Sequence, residues 1–220
     1  MLCTGYWSLG KSQDRPAAQP RTRLLFTLEC LKTAGWKAVD AQTVFKTNDK
    51  LRFRLRTSLT GYLYILNHSS SGKVAWVYPA SDKSSNHIVA NTETLIPGAE
   101  GSFVINGAPG IDTLYWILRN EAFTVPNVED KQLDVPSTLL SRCSEENSAE
   151  TDHPQMACLD GNAGVKPLAD PDKLRGALGM PNSLVARDLT FEAKPGGTEI
   201  RTESDGASSG IVYQVRIAHN

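Results

Sequence analysis

Two neighbouring apolar stretches constrain the fold of this chain more than any other feature. In residues 51–56, apolar and basic side chains alternate strictly, which is the period of a strand with one buried and one solvated face. Residues 61–67 are nearly all apolar and rich in aromatic and β-branched side chains, as in a strand that is covered on both faces. Turn-forming residues 58–61 separate the two runs. The sequence therefore predicts a hairpin around which the other strands are arranged.

Short apolar runs separated by Gly, Pro, Asn and Ser continue through residues 22–120, with no helical period. Residues 61–78 are predicted to form a hairpin, and residues 112–119 are a second strand with both faces buried. Strands are predicted again at 184–192, 198–202 and 211–217, where they complete the first sheet. The pattern indicates an all-β protein, an antiparallel β-sandwich of Ig-like or jelly-roll-like type.

The composition divides the chain into three parts. Residues 1–21 are predicted to be an irregular leader, and residues 22–123 with 184–219 are predicted to form one β-sandwich domain. Between the two halves of that domain, residues 124–183 are a long, loop-rich insertion with many Pro, Ser and acidic residues. One short helix is predicted in the insertion, with Asp170 as N-cap, Pro171 at its first position and its end at Gly179.

The overall composition and charge are those of an ordinary soluble globular protein and point to no particular class of partner. The 220 residues are 40% hydrophobic and 21% charged with a net charge of −1, which gives no reason to expect nucleic acid or an anionic membrane as partner. Up to residue 60 there are 11 basic and 4 acidic residues, whereas residues 121–160 hold 9 acidic and 2 basic ones. This asymmetry predicts either two solvated surfaces of opposite sign or a charged docking face.

The four cysteines lack the close pairing of a zinc site. A disulfide between Cys143 and Cys158 would close a loop of about 15 residues and stabilise the fold by roughly 3 kcal/mol. We favour that bridge over free thiols, with Cys3–Cys30 as a weaker candidate. Oxidised cysteines would place the protein outside the cytosol, in the periplasm, at the cell surface or in the medium.

The N-terminal residues lack the apolar core of a signal peptide. If Met1 is the native start, export by the usual route has no support in the sequence. If a leader has been removed, Cys3 is a candidate lipid-anchored cysteine, and the anchor would be the protein's contact with a membrane.

Several motifs resemble one known family. The run FKTNDKLRFRLRTSLTGYLYILN, followed by IPG at 96–98 and APGIDTLYWIL at 108–118, is similar to the bacterial domain-of-unknown-function family numbered 4384. Asn48-Asp49 stands where Gly-Asp is commoner, and Ala108 replaces the first proline of a Pro-Pro-Gly element. The resemblance extends over residues 22–123 and, less fully, 184–219.

The resemblance implies a compact β-sandwich, found alone in exported proteins or beside kinase, caspase-like or tetratricopeptide modules in bacterial proteins. The family has no established catalytic residues, so none can be transferred to this chain.

No catalytic, metal or cofactor site emerges from the sequence. The histidines His68, His87, His153 and His219 lie far apart, without the close spacing of metal ligands. A triad of Ser71, His87 and Asp112 has no supporting spacing rule, and Ser71 lacks the strand–turn–helix context of a nucleophile elbow.

The strand aromatics have two interpretations, core packing and a binding face for a glycan or peptide. They are Tyr62, Tyr64, Trp76, Tyr78, Tyr115 and Trp116.

These observations favour a non-enzymatic binding or assembly module of a bacterial envelope or secreted protein, with a protein as partner. Binding would use a sheet edge or the loops at 68–73, 80–87 and 106–111. Two alternatives remain open, a structural subunit of a cell-surface assembly and a hydrolase whose site is built by residues 124–183.

Overall fold

A computed structural model describes residues 22–80, 85–128, 158–180, 189–202 and 210–220. The predicted leader 1–21, residues 129–157 and 181–183 of the predicted insertion, and residues 184–188 of the strand predicted at 184–192 lie outside these ranges. The sequence-based domain boundaries that fall there remain predictions.

The described residues form fourteen strands and one helix. In chain order these are β1 (Arg23–Lys32), β2 (Gly35–Val39), β3 (Val44–Phe45), β4 (Lys50–Thr57), β5 (Gly61–His68), β6 (Val74–Tyr78), β7 (His87–Ile88), β8 (Glu93–Ile96), β9 (Phe103–Val104), β10 (Gly110–Arg119), β11 (Gly164–Lys166), α1 (Pro171–Leu178), β12 (Leu189–Lys194), β13 (Gly197–Thr202) and β14 (Gly210–His219).

The strands form two seven-stranded sheets that pack as a sandwich, which confirms the predicted fold class. Sheet I has the order β12-β13-β1-β4-β8, with β2 beside β1 and β9 beside β4. Sheet II has the order β11-β14-β10-β5-β6, with β3 beside β14 and β7 beside β5. The pairs are antiparallel except for β3 and β14, which run parallel over two residues.

The predicted hairpin between residues 51–56 and 61–67 is wrong, although both stretches are strands. β4 pairs with β1, β8 and β9 in sheet I, whereas β5 pairs with β10, β6 and β7 in sheet II. Residues 58–60 therefore cross from one sheet to the other. The physical reason is that both strands carry an apolar face. The two faces pack against each other across the core, with one strand in each sheet, so the strands are not neighbours in one sheet. The predicted hairpin at 61–78 is confirmed, since β5 and β6 are antiparallel neighbours.

The core lies between the sheets and is centred on the indole ring of Trp116. Phe26 and Phe53 of sheet I meet this ring edge-on, with centroids 5.3 Å and 5.0 Å away. Tyr213, which lies in sheet II like Trp116, stacks against the indole ring with the two ring centroids 5.8 Å apart. At the start of β5, Gly61 has no space for a side chain, because a Cβ there would lie 1.9 Å from the backbone oxygen of Arg119.

The outer face of sheet II is also covered, as the near-continuous apolar sequences of its strands predict. Residues 120–128 and helix α1 pack over it, and they form a second apolar cluster with Tyr64, Tyr115 and Ile117. Helix α1 has the predicted bounds. Asp170 caps it by accepting a hydrogen bond from the Lys173 backbone N–H at 2.9 Å, and Gly179 ends it in the left-handed conformation at φ 62°.

The C-terminal strands belong to both sheets. β13 pairs with β1 in sheet I, and β14 lies beside β10 along all ten residues of each strand in sheet II. The segment after the insertion thus completes the sheets that the N-terminal half begins.

Candidate binding face

The outward side chains of sheet I form what we call the open face. Period-two alternation along β1 and β4 places the apolar residues of both strands in the core and their intervening residues outside. The strand registers align the neighbouring strands with this pattern. The open face comprises Arg23, Leu25, Thr27, Glu29, Leu31, Trp36, Arg52, Arg54, Arg56, Glu93, Leu95, Thr190, Glu192, Lys194, Glu199 and Arg201.

Glu29 organises the charges of β1 and β4. Its carboxylate accepts hydrogen bonds from Arg52 Nε at 2.5 Å and from Arg54 Nη2 at 2.8 Å, and its side chain is 8% exposed. Arg54 also pairs with Glu93 on β8. Burial by itself raises the pKa of Glu29, but the hydrogen bonds from Arg52 and Arg54 outweigh burial and hold that pKa below its ordinary value. Three adjacent strands are thereby linked by charge-assisted bonds.

Trp36 adds an aromatic contact near one end of the open face. The guanidinium of Arg52 lies over the Trp36 ring, 4.3 Å from its centroid, in a cation–π contact. Leu31 is directly opposite Trp36 in the β1–β2 register and is 39% exposed. This end of the face therefore presents apolar surface next to a cation that is already paired.

Leu25 lies farther along β1 and is 40% exposed. In the strand register it stands between Arg56 on β4 and Glu199 on β13. Neither Arg56 nor Arg23, two residues before Leu25, forms an ion pair with any described carboxylate.

Other charges near Leu25 are already compensated. Arg201 and Lys194 both form ion pairs with Glu192 and Glu199. The basic groups beside Leu25 that form no ion pair within the described residues are therefore Arg23 and Arg56, of which Arg23 helps to lower the pKa of Glu199.

The two outer faces of the sandwich differ in their cover. The outer face of sheet II is buried by residues 120–128 and α1, with Trp76 Nε1 donating to the Pro126 oxygen at 2.9 Å. No segment within the described ranges packs over the open face of sheet I.

The six aromatic residues predicted as a binding face do not lie together on one exposed surface. Trp116 and Tyr78 are buried between the sheets. Tyr64 and Tyr115 are buried beneath the cover of sheet II, and Tyr62 and Trp76 are half-buried there. Packing explains all six positions, while a binding role for them stays a prediction.

The structure does not bring Ser71, His87 and Asp112 together as a triad. His87 packs against the ring of Tyr62, at the far end of β5 from the loop that holds Ser71. Asp112 instead accepts a hydrogen bond from the Ser70 backbone N–H at 2.7 Å, and its Oδ1 lies 3.4 Å from His219 Nε2.

The possible metal ligands of this chain are its His, Cys, Asp and Glu side chains. The described residues contain no group of three or more His, Cys, Asp or Glu placed to hold a metal ion. His68 is partly buried, which lowers its pKa, and His153 lies outside the described residues.

Two of the three loops predicted for recognition are fastened to each other. Ser70 Oγ donates to the Ala108 oxygen at 2.8 Å, which joins the loop at 68–73 to that at 106–111. Part of the third loop, residues 81–84, lies outside the described residues.

The weaker disulfide candidate Cys3–Cys30 is wrong in this structure, because Cys30 is a free cysteine with its side chain in the core. Burial raises the pKa of this thiol. Cys3 and Cys143 lie outside the described residues, so the Cys143–Cys158 bridge remains a prediction.

Comparison with known proteins identifies one family. Residues 44–121 match the family model described as a domain of unknown function, DUF4384. The chain resembles this family. The matched range runs from β3 to β10, so it includes the arginines of β4 but not Leu25 or Glu29 on β1. No curated protein and no solved structure matches the chain, and no helix of the described residues is long and apolar enough to cross a membrane.

Glu29 and Leu25 were not predicted as binding residues from the sequence. The available signal was a single acidic residue within the apolar β1 sequence, beside a strand of alternating arginines. An acid at a solvated strand position can pair with basic side chains of a neighbouring strand, but the pairing of β1 with β4 is not visible in either sequence.

Proposed function

We propose that this protein is a non-enzymatic binding module, and that the open face of sheet I is its recognition surface. The partner is a protein segment that presents acidic side chains around an apolar one. The observation that carries this proposal is the unequal cover of the sandwich, because the described residues bury both faces of sheet II but only one face of sheet I.

The chemistry around Leu25 favours an acidic partner. Arg56 and Arg23 flank an exposed leucine, and neither guanidinium forms an ion pair with a described carboxylate. An approaching carboxylate would gain charge-assisted hydrogen bonds from these guanidinium groups. An apolar side chain between the carboxylates would cover Leu25 and remove its surface from water.

The test is titration with a synthetic peptide in which one leucine is flanked by aspartates and glutamates. A peptide with lysines in place of the acids is the control ligand. We expect amide resonances of β1, β4 and β13 to shift with the acidic peptide alone. In the double variant Arg23→Glu, Arg56→Glu, we expect the Kd to rise at least about tenfold, which corresponds to about 1.4 kcal/mol.

The matched control is Lys73→Glu, which reverses an exposed basic residue in the β5–β6 loop of the other sheet. It should leave the Kd unchanged. Equal losses in Lys73→Glu and in the double variant would show attraction to overall charge rather than to the open face. Resonance shifts confined to sheet II would also contradict the proposal.

We further propose that the protein acts outside the cytosol, with Cys158 bridged to Cys143. Cys158 is not a free thiol, and Cys30 is free and buried, which leaves Cys143 and Cys3 as the cysteines able to pair with Cys158. The test is the intact mass of protein from its native cells, with alkylation before and after reduction. A bridge detected by peptide mapping at Cys143 supports the proposal, whereas free thiols at both Cys143 and Cys158 contradict it.

A further inference from the structure

Strand β12 leaves one edge of sheet I open. It pairs with β13 along all six of its residues, and no other strand of the described part of the chain lies on its second side. It is the longest of the outer strands, compared with five residues in β2 and β6, four in β8 and three in β11.

β12 lacks several of the features that protect an edge. Exposed edges are commonly blunted by proline, bulges, charged side chains or a covering segment, because their free N–H and C=O groups can pair with another chain. Its six residues contain no proline and pair with β13 without a register shift, and its two charged side chains, Glu192 and Lys194, form an ion pair with each other. By contrast, β6 has a register shift and a tryptophan bonded to the covering segment.

The β12–β13 turn determines which backbone groups are free. Residues Pro195 and Gly196 form a two-residue connection, with Lys194 opposite Gly197. A connection of this length makes the flanking residues a hydrogen-bonded pair, and hydrogen bonding then alternates along the ladder. The N–H and C=O groups of Leu189, Phe191 and Ala193 consequently point to the open side.

We propose that β12 pairs with β12 of a second copy of this chain, antiparallel and centred on Phe191. Sheet I of one copy and sheet I of the other then form one continuous sheet across a two-fold axis. Phe191 of each copy exchanges two backbone hydrogen bonds with Phe191 of the other, and Leu189 does the same with Ala193. Such an isologous contact closes on itself, which limits the assembly to a dimer.

The side chains select this register. Residues directly opposite must face the same side of the sheet, so each acceptable register is centred on one residue. Centring on Glu192 would place two glutamates directly opposite each other and leave Leu189 facing Pro195, which has no N–H, and centring on Ala193 would use only half of the strand. Centring on Phe191 uses residues 189–193 and places two half-buried phenylalanines together at the rim of the core.

Charge is also complementary in this register. Glu192 of one copy faces Thr190 of the other, and Thr190 is beside the basic Arg201 in the β12–β13 register. Each copy thus brings a carboxylate towards the other's guanidinium, and no two like charges stand directly opposite.

The test uses opposite charges at one exposed position. Thr190 is exposed, so substitutions there should not affect folding. In the proposed register, Thr190→Lys faces the second copy's Glu192 and should lower the dimer Kd, whereas Thr190→Glu should raise it. We expect a change of about three- to tenfold in each direction, because the contact occurs twice in the dimer. Sedimentation of the full chain over a concentration series measures both constants.

Three further outcomes decide the proposal. Phe191→Lys places a charge at the centre of the pairing and should give a monomer whose circular dichroism spectrum remains that of a β protein. A monomeric wild-type chain at every concentration up to its solubility limit would overturn the proposal. So would a dimer whose Kd moves in the same direction, or does not move, in the two Thr190 variants.

Discussion

At the scale of single residues, Glu29 links the electrostatics of sheet I to its stability. The carboxylate is almost fully withdrawn from water, yet it stays charged because two arginines donate to it. A buried charge without partners would be costly, and removing one member of such a group leaves the others unsatisfied.

The variant Glu29→Gln should lower the free energy of unfolding by about 1–3 kcal/mol at pH 7. The loss arises because Arg52, with a side chain 11% exposed, would be left without its carboxylate. Denaturant unfolding measures this change. The matched control is Glu93→Gln, whose partner is also Arg54 but whose side chain is 52% exposed. A surface pair of that kind contributes at most about 1 kcal/mol, so equal losses in the two variants would contradict the role given to Glu29.

The same residue predicts a pH dependence. The pKa of Glu29 is lower in the folded protein than in the unfolded chain, so its contribution is complete above the unfolded value of about 4.3. The contribution is lost as the pH falls through the folded-state pKa. The stability difference between wild type and Glu29→Gln should therefore shrink below about pH 4.3. A difference that grows on acidification would contradict this assignment.

At the scale of elements, local patterns identified strands but not their partners. The alternation at 51–56 and the apolar run at 61–67 correctly predicted one strand with a solvated face and one with both faces covered. The turn residues between them are equally compatible with a hairpin and with a crossing between sheets. β4 pairs with β1 and β5 pairs with β10, and both partners are separated from these strands in the sequence. The local sequence of a strand therefore does not specify the strand with which it pairs.

Helix α1 was predictable because its caps are local. Asp170, Pro171 and Gly179 lie at the positions that start and end a helix. Its contact with the outer face of sheet II was not predictable, because the apolar positions of an eight-residue helix do not specify what they cover.

Two substitutions in α1 should change the free energy of unfolding in opposite directions. Leu174 is 5% exposed against sheet II, so Leu174→Ala should lower the free energy of unfolding by about 2–4 kcal/mol. Gly176 is exposed, and a Cβ there meets nothing within 4 Å, so Gly176→Ala should raise it by about 0.5–1 kcal/mol. Thermal denaturation measures both. If Leu174→Ala left the free energy of unfolding unchanged, the packing of the helix would not contribute to the stability of the fold.

At the scale of the whole molecule, composition and strand patterns predicted the sandwich but not its asymmetry. The charge excess of residues 1–60 pointed either to a solvated surface or to a docking face. The structure places part of that excess, the arginines of β4, on the open face, where Glu29 pairs two of them. Which arginines meet a carboxylate depends on strand register, a long-range property that charge counts do not contain.

Within the described residues, sheet II is covered on both faces, and we propose that sheet I offers its open face to an acidic partner. Hydroxyl-radical footprinting read by mass spectrometry tests it most directly, with and without the acidic peptide. We predict strong oxidation of Leu25 and Leu31 in the free protein, little at Tyr64 and Tyr115, and protection of Leu25 by the peptide. Oxidation of Tyr64 and Tyr115 as strong as that of Leu25 would show that sheet II is not covered, and peptide protection confined to sheet II would show that the open face is not the binding surface.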